Sequence, residues 1–354
     1  MMHFHGKLAL QQRVLPTYRV PFFDILASAC DGGLSLFTGL PRMEEGIVVA
    51  DRLQVASYTL GNNIHLFKGG LYVCQQPGLT DWLQTTNPDA LIMEANPRYI
   101  SSPSAVRWMH RHNKPVIGWG LGAGSGGWLW KRFIGQFDAM LAYSQRGADE
   151  YAALGFPRER IFVAHNSVSA APTEAPAHRP ESISRPTILF VGRLQARKRV
   201  DALLRACAEI QDLRLIIVGD GPERATLETL AREVYPRAEF VGSKHGGELK
   251  AYFAEADLFV LPGTGGLAVQ EAMSHGLPVI VAKGDGTQDD LVRVGNGWQI
   301  PPDEYAALVS TIKDALSDIA RLRRMGAESY RIVKEEINIG AMAGVFVRAL
   351  QAVR

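Results

Sequence analysis

The chain is poor in cysteine, in net charge and in long apolar runs. Its three cysteines, Cys30, Cys74 and Cys207, lie far apart and form no CxxC pair. Neither a disulfide framework nor a zinc site is indicated, and each is expected to be a small buried hydrophobe. No apolar run approaches the ~18 residues that cross a bilayer, and the opening MMHFHGKLALQQRV has no small-residue cleavage site behind an apolar core. The expectation is a cytoplasmic protein. A formal net charge of +2 is too small to argue for nucleic acid. Residues 1–165 hold 15 Lys and Arg against 12 Asp and Glu, and the remainder 23 against 24, so the front half is mildly basic.

What is present suffices for two cores. With 354 residues, 47% of them apolar, the chain is expected to form two domains of roughly 150–200 residues. Ser169–Pro186, SAAPTEAPAHRPESISRP, contains four prolines and almost no large apolar residue, and reads as a linker. Before it, strand patterns at Leu8–Gln11, Leu34–Phe37, Leu91–Glu94, Val116–Gly118, Met140–Tyr143 and Ile161–Ala164 alternate with helical patterns near Phe22–Ser28, Pro103–Arg111 and Arg146–Leu154. After it, strand patterns at Ile188–Val191, Leu213–Val218, Phe240–Val241, Leu258–Leu261 and Val279–Val281 are separated by helical stretches such as Val200–Ile210 and Glu223–Glu233. Such alternation predicts an α/β chain with two Rossmann-like, doubly wound parallel sheets, and a proline-rich hinge between them implies a central cleft. The expected division is 1–168, a linker at 169–186, a second domain at 187–335 and a C-terminal helix within 336–354, whose apolar face, Ile339–Val353, would pack back on the first domain.

The densest motif is Leu261–Val281, LPGTGGLAVQEAMSHGLPVIV. An apolar run meets Pro262, Gly263, Gly265 and Gly266, then an amphipathic segment, Leu267–His275, which Gly276 and Pro278 close. A glycine loop between strand and helix offers free N–H groups to an anion. A carboxylate one or two turns into that helix, Glu271, would accept hydrogen bonds from sugar hydroxyls rather than bind phosphate. A second group is Gly192-Arg193-Leu194 followed by Arg197, Lys198 and Arg199, a set of forks and point charges suited to a diphosphate. The plainer alternative is a solvated, Arg-rich helix start, although cations there oppose the helix dipole. VGDGP at 218–222 alone shows only a βα turn. FVGSKHGG at 240–247 ends a strand in a glycine loop whose bare backbone could read a nucleobase edge.

Together these pieces resemble the carboxyl-terminal domain of the family-four glycosyltransferases of GT-B fold. The matching motifs are GRLQARKRVDALL at 192–204, VGDGP at 218–222, EFVG at 239–242, ADLFVLPG at 256–263, GLAVQEAMSHGLPVIV at 266–281 and NGWQIPPDE at 296–304. Weaker likeness runs through Asp138–Val168, and RVLPTYRVPFFDIL at 13–26 is similar to the opening of a bacterial subset of the family. The resemblance implies that Arg193 and Lys198 hold the donor diphosphate and stabilise the leaving group, with Gly192 opening that loop. It implies that Glu271 accepts from the ribose hydroxyls, that Gly265, Gly266 and Leu267 cradle the phosphate, and that the backbone near Gly242 and Ser243 reads the base. No DxD sequence occurs, so the resemblance implies a metal-independent transferase without a cofactor, whose charge is stabilised by cations and N–H donors. It also implies retention of configuration.

One departure stands out. In most family members an acid that contacts the donor sugar sits eight residues before the position of Glu271; here that position is Gly263. Sugar contacts would then come from the first domain, where Glu94, Asn96 and Arg98 follow a strand directly. Glu94 would orient or deprotonate an acceptor hydroxyl, or be a structural carboxylate paired with Arg98. Where many relatives carry a histidine, this chain has Trp119 and Gly120; His65 is the substitute candidate, against the ordinary reading of a solvated loop histidine. Arg13, Tyr18 and Arg19 would line the acceptor side. Trp128–Ile134, WLWKRFI, interleaves aromatics with cations and would rest peripherally on the inner face of a membrane carrying a lipid-linked acceptor, or form a helix whose aromatics enter the core. The reading these features imply is a glycosyltransferase moving a sugar from a nucleotide sugar to a sugar or glycolipid hydroxyl. A sugar-nucleotide epimerase and a non-catalytic nucleotide-binding subunit are the alternatives.

Overall fold

Runs such as ALIME at 90–94 and VIVA at 279–282 have apolar side chains on both faces, a pattern that only a sheet covered on both sides can bury. The computed structural model, which describes residues 2–353 apart from Ser125, Ser182, Gly266 and Asp285, contains two such sheets. The chain divides into one unit of residues 1–168 with 339–354 and a second of residues 169–338.

In the first unit β1 (Leu8–Val14), β2 (Leu34–Gly39), β3 (Ser57–Leu60), β6 (Ala90–Glu94), β7 (Val116–Gly120), β8 (Ala139–Ala142) and β9 (Ile161–Val163) form a parallel sheet in the order β3-β2-β1-β6-β7-β8-β9. A short antiparallel hairpin, β4 (Ile64–Leu66) with β5 (Val73–Gln75), stands apart from it. Helix Ile339–Ala352 closes one face against helix Val20–Ser28. There Phe346 meets Phe22 at 5.0 Å and 70° and Trp119 at 5.0 Å and 84°, the edge-to-face geometry that aromatic quadrupoles favour.

In the second unit β10 (Thr187–Val191), β11 (Arg214–Val218), β12 (Glu239–Gly242), β13 (Leu258–Leu261), β14 (Val279–Ala282) and β15 (Gly297–Ile300) form a parallel sheet in the order β12-β11-β10-β13-β14-β15. The order reverses between β10 and β13, and ligands of such sheets bind at this switch point, outside the carboxyl ends of the strands. The proline-rich stretch is fastened to this unit. Arg179 donates to the carbonyls of Ala256 at 2.7 Å, Phe253 at 2.8 Å and His275 at 3.1 Å, and the Tyr330 hydroxyl to that of Glu174 at 2.9 Å. Burial pulls the Arg179 pKa down to about 10. Among the described residues no helix is long and apolar enough to cross a membrane.

Phe346 is fully buried between Phe22 and Trp119, so Phe346→Ala is expected to cost about 3–5 kcal/mol in urea unfolding followed by circular dichroism. A loss under about 1 kcal/mol would show that this helix does not brace the first unit.

Candidate active site

The second unit brings the loops after β10, β12 and β13 to one edge of its parallel sheet. The tips of β10 and β11 approach so closely that a Cβ on Gly219 would lie 1.9 Å from the Gly192 carbonyl oxygen, and one on Gly221 2.3 Å from that of Leu194. Gly219 and Gly221 also have φ of 140° and 158°, so VGDGP is the backbone joint that seats Gly192 and Arg193. Beyond it the four cations separate. Arg193 is exposed, with no side-chain partner among the described residues. Arg197 donates to the Gln195 side chain at 3.1 Å, and Arg199 is paired with Asp303 and Asp201.

Lys198 is 6% exposed. Its ammonium donates to the Thr264 carbonyl at 2.9 Å and to that of Gly265. Burial first, and then the charge of Arg197, pull its pKa down to about 8, so the charged form persists at neutral pH. The same contact explains Gly263. A Cβ there would lie 2.1 Å from the Arg197 carbonyl oxygen and 2.5 Å from the backbone of Lys198, and Thr264 N–H donates to that same oxygen at 3.0 Å. Two backbone segments touch where a side chain would otherwise stand.

Glu271 lies on helix Ala268–Ser274, half-buried, and its carboxylate has no hydrogen-bond partner among the described residues. Burial pushes its pKa up, and the nearby charge of His245 opposes this. His245, from the loop after β12, was not singled out in the sequence because one histidine in a glycine-rich loop carries no pattern. Gly242 has φ 74° at the end of β12 and Ser243 is exposed beside it. Gly265 has φ 67°, and Leu267 is at the exposed start of the helix; Gly266 lies outside the described residues.

In the first unit a cavity of about 380 Å³ opens at the carboxyl ends of β6, β7 and β8, lined among others by Glu94, Asn96, Arg98, Trp119, Trp130 and Tyr143. Glu94 does not pair with Arg98. Its carboxylate accepts from the Arg13 N–H at 2.7 Å and from the Tyr99 hydroxyl, because β1 runs beside β6 and carries Arg13 alongside it. Burial raises the Glu94 pKa, while Arg13 and Tyr99 hold it down. The Arg13 guanidinium is committed to Glu45 at 2.8 Å. Asn96 accepts from the Arg98 N–H at 3.0 Å, shaping the cavity rim, and Arg98 is exposed there with no side-chain partner among the described residues. Trp119 is 1% exposed, and its indole N–H is also unpartnered among them.

Two expectations for this unit need correction. Arg19 does not face an open acceptor surface: it is 5% exposed, donates to the Ser167 carbonyl at 3.2 Å and to Asn166, and lies 5.5 Å from the Trp119 ring, whereas Tyr18 beside it is exposed. His65 is not a solvated loop histidine but part of β4, with ring nitrogens 2.9 Å from the Tyr72 hydroxyl and 3.1 Å from the Leu40 carbonyl. Helix Trp128–Ile134 is split, Phe133 and Ile134 entering the core while Trp128 and Leu129 stay exposed.

The family model described as glycosyl transferases group 1 matches residues 174–332. A GDP-mannose-dependent alpha-mannosyltransferase of Mycolicibacterium smegmatis is 34% identical over 245 residues, covering 67% of this chain and 64% of the relative. The chain thus spans a little under two thirds of that relative's length. Among solved structures, Anabaena Alr3699/HepE in complex with UDP superposes with a TM-score of 0.74 at 18% identity, covering 98% of this chain and 99% of the other. The apo form of the lipopolysaccharide outer core galactosyltransferase WaaB gives 0.71 at 18% identity, covering 98% and 99%. With the two doubly wound sheets, this likeness identifies a GT-B fold.

If backbone contact at Gly263 sets the loop, Gly263→Ala should weaken binding of a nucleoside diphosphate at least ~10-fold by calorimetry and cost about 1–3 kcal/mol of stability. Gly70→Ala, in the first unit, where nothing lies within 4 Å of an added Cβ, should change neither. Equal behaviour of the two variants would contradict this account of the turn.

Proposed function

We propose that this chain, which through residues 174–332 belongs to the group 1 glycosyl transferases, moves a sugar from a nucleotide-sugar donor on its second unit to a hydroxyl of a glycan or glycoconjugate on its first. The observation that carries the reading is the meeting of unlike groups at one switch point: an exposed Arg193 and a half-buried Glu271 carboxylate, neither with a side-chain partner among the described residues, beside the Lys198 ammonium that the Gly263–Gly265 turn holds through its carbonyls. A nucleoside diphosphate matches them in charge and order. Its phosphates meet the guanidinium and ammonium, and its ribose hydroxyls donate to Glu271, which burial otherwise leaves short of hydrogen bonds. The loop after β12, with Gly242, Ser243 and His245, is assigned to the base.

Breaking the glycosyl–phosphate bond builds negative charge on the leaving diphosphate. Arg193 and Lys198 stabilise that charge in place, as preorganised donors do, and no metal is needed in this scheme. Attack from the face that the diphosphate leaves would retain configuration, the departing phosphate taking the acceptor proton. Glu94, held by the Arg13 N–H and Tyr99, orients the acceptor hydroxyl in its cavity. The aromatic walls Trp119, Trp130 and Tyr143, together with Asn96 and Arg98, suit a saccharide.

Because one relative is named for GDP-mannose and one similar structure holds UDP, the first donors to test are GDP-mannose and UDP-glucose with a panel of glycan acceptors. Release of nucleoside diphosphate that requires an acceptor is the expected outcome, and Glu271→Ala should lower it about 10–100-fold. Donor conversion without acceptor and without nucleotide release would favour an epimerase. Unchanged turnover in Glu271→Ala would refute its assignment.

A further inference from the structure

The cavity at the carboxyl ends of β6, β7 and β8 presents more open hydrogen-bond donors than open acceptors. Trp119 lines it, is 1% exposed, and has a buried indole N–H without a partner among the described residues. Such a donor is costly to leave open. Arg98 lines the cavity from its rim, and its guanidinium has no hydrogen-bond or ion-pair partner among the described residues either. The rim beneath it is fixed, since Asn96 accepts from the Arg98 N–H at 3.0 Å and the Arg98 carbonyl accepts from the Cys74 N–H at 2.9 Å. Glu94, the acid of the wall, already accepts from the Arg13 N–H at 2.7 Å and from the Tyr99 hydroxyl.

Charge around the cavity is unbalanced in the same sense. The neighbouring acids have cations of their own: Glu45 lies 2.8 Å from Arg13, Glu44 3.7 Å from Arg42, and Glu150 3.4 Å from Arg146. Arg19 and Arg98 are the cations without an acid. Arg19, against the Trp119 ring, donates only to neutral groups, the Ser167 carbonyl, Asn166 and the Met342 sulfur, and its charge offsets that of Glu94. Arg98 is left as the excess positive charge. A neutral saccharide would satisfy the aromatic wall but not this guanidinium, whose planar fork matches the paired oxygens of a carboxylate or phosphate.

We infer that the acceptor taken by this cavity is an acidic saccharide, whose carboxylate or phosphate oxygens accept from Arg98 at the rim while a hydroxyl of the same ring reaches Glu94. The inference rests on that cavity being the acceptor site. It makes Arg98 the residue that selects among acceptors.

The test is calorimetric titration of the full chain, without donor, using methyl hexosides of gluco, galacto and manno configuration, the matching methyl hexuronides and the matching 6-phosphates. In at least one configuration the uronide or the 6-phosphate should bind at least ~10-fold more tightly than the neutral ring, and whichever binds more tightly identifies the anionic group. Arg98→Gln should abolish that preference and leave the affinity for the neutral ring unchanged. Arg111→Gln, an exposed charge on helix Ser102–Arg111, should keep the preference. No preference in any configuration, absence of binding included, overturns the inference, and so does a preference that survives in Arg98→Gln. Nucleotide release from GDP-mannose and UDP-glucose with the same rings reads the transfer separately. Equal release with neutral and acidic rings refutes the acidic acceptor alone, whereas selective binding of acidic rings without any release supports the selectivity of the cavity and refutes the transferase reading.

Discussion

The second unit depends on one close approach, where the Arg197–Lys198 backbone lies against Gly263 and Thr264. The Thr264 N–H donates to the Arg197 carbonyl at 3.0 Å, and no Cβ fits at Gly263. That contact joins the loops after β10 and β13 across the switch point. It also fixes Lys198, whose ammonium satisfies the turn's carbonyls from the buried side. A buried ammonium without such partners would be costly; here it ties the turn together and keeps a positive charge at its inner side. Gly263 is therefore a packing requirement of this turn, and an acid at that position would have no room without moving the loop.

The same economy of backbone governs the neighbouring tips. Gly219 and Gly221 let β11 meet the β10 loop almost in van der Waals overlap, which leaves Arg193 exposed and without a side-chain partner among the described residues. Glu271 completes the set from the helix that follows the turn. In the first unit the equivalent edge is built on side chains instead. Gln11 and Arg13 of β1 hold Glu94 at the end of β6 through bonds of 3.2 and 2.7 Å, and Arg19 reaches across to Asn166 and Ser167. Helix Ile339–Ala352 adds its aromatic contact to Trp119, on the strand next to Glu94. The cavity beside Glu94 thus depends on residues from both ends of the chain.

Most of the core strands were legible because their residues are apolar on both faces, as in β6, β13 and β14. β3 and the β4–β5 hairpin were not, because their residues are mostly exposed and carry neither an apolar run nor clean alternation. β15, GWQI, is as long as β13 and β14 but contains Gly297 and Gln299 and so carries no apolar run. Glycine loops were readable since only glycine tolerates the approaches found at 219, 221 and 263. What sequence could not supply was the identity of partners distant in the chain. Arg98 seemed the natural mate of Glu94 by proximity, yet register across the sheet delivers Arg13. Arg19 looked like a surface cation until residues 147 and 148 positions away enclosed it.

The central claim is that a nucleotide sugar seats itself on the joined loops after β10 and β13. Backbone hydrogen exchange with and without a nucleotide sugar tests it most directly, because bound phosphates and ribose should slow local opening of the segments they touch. The account predicts slowed exchange across 192–199 and 262–271. Unchanged exchange in both segments, with protection confined to the first unit, would contradict it.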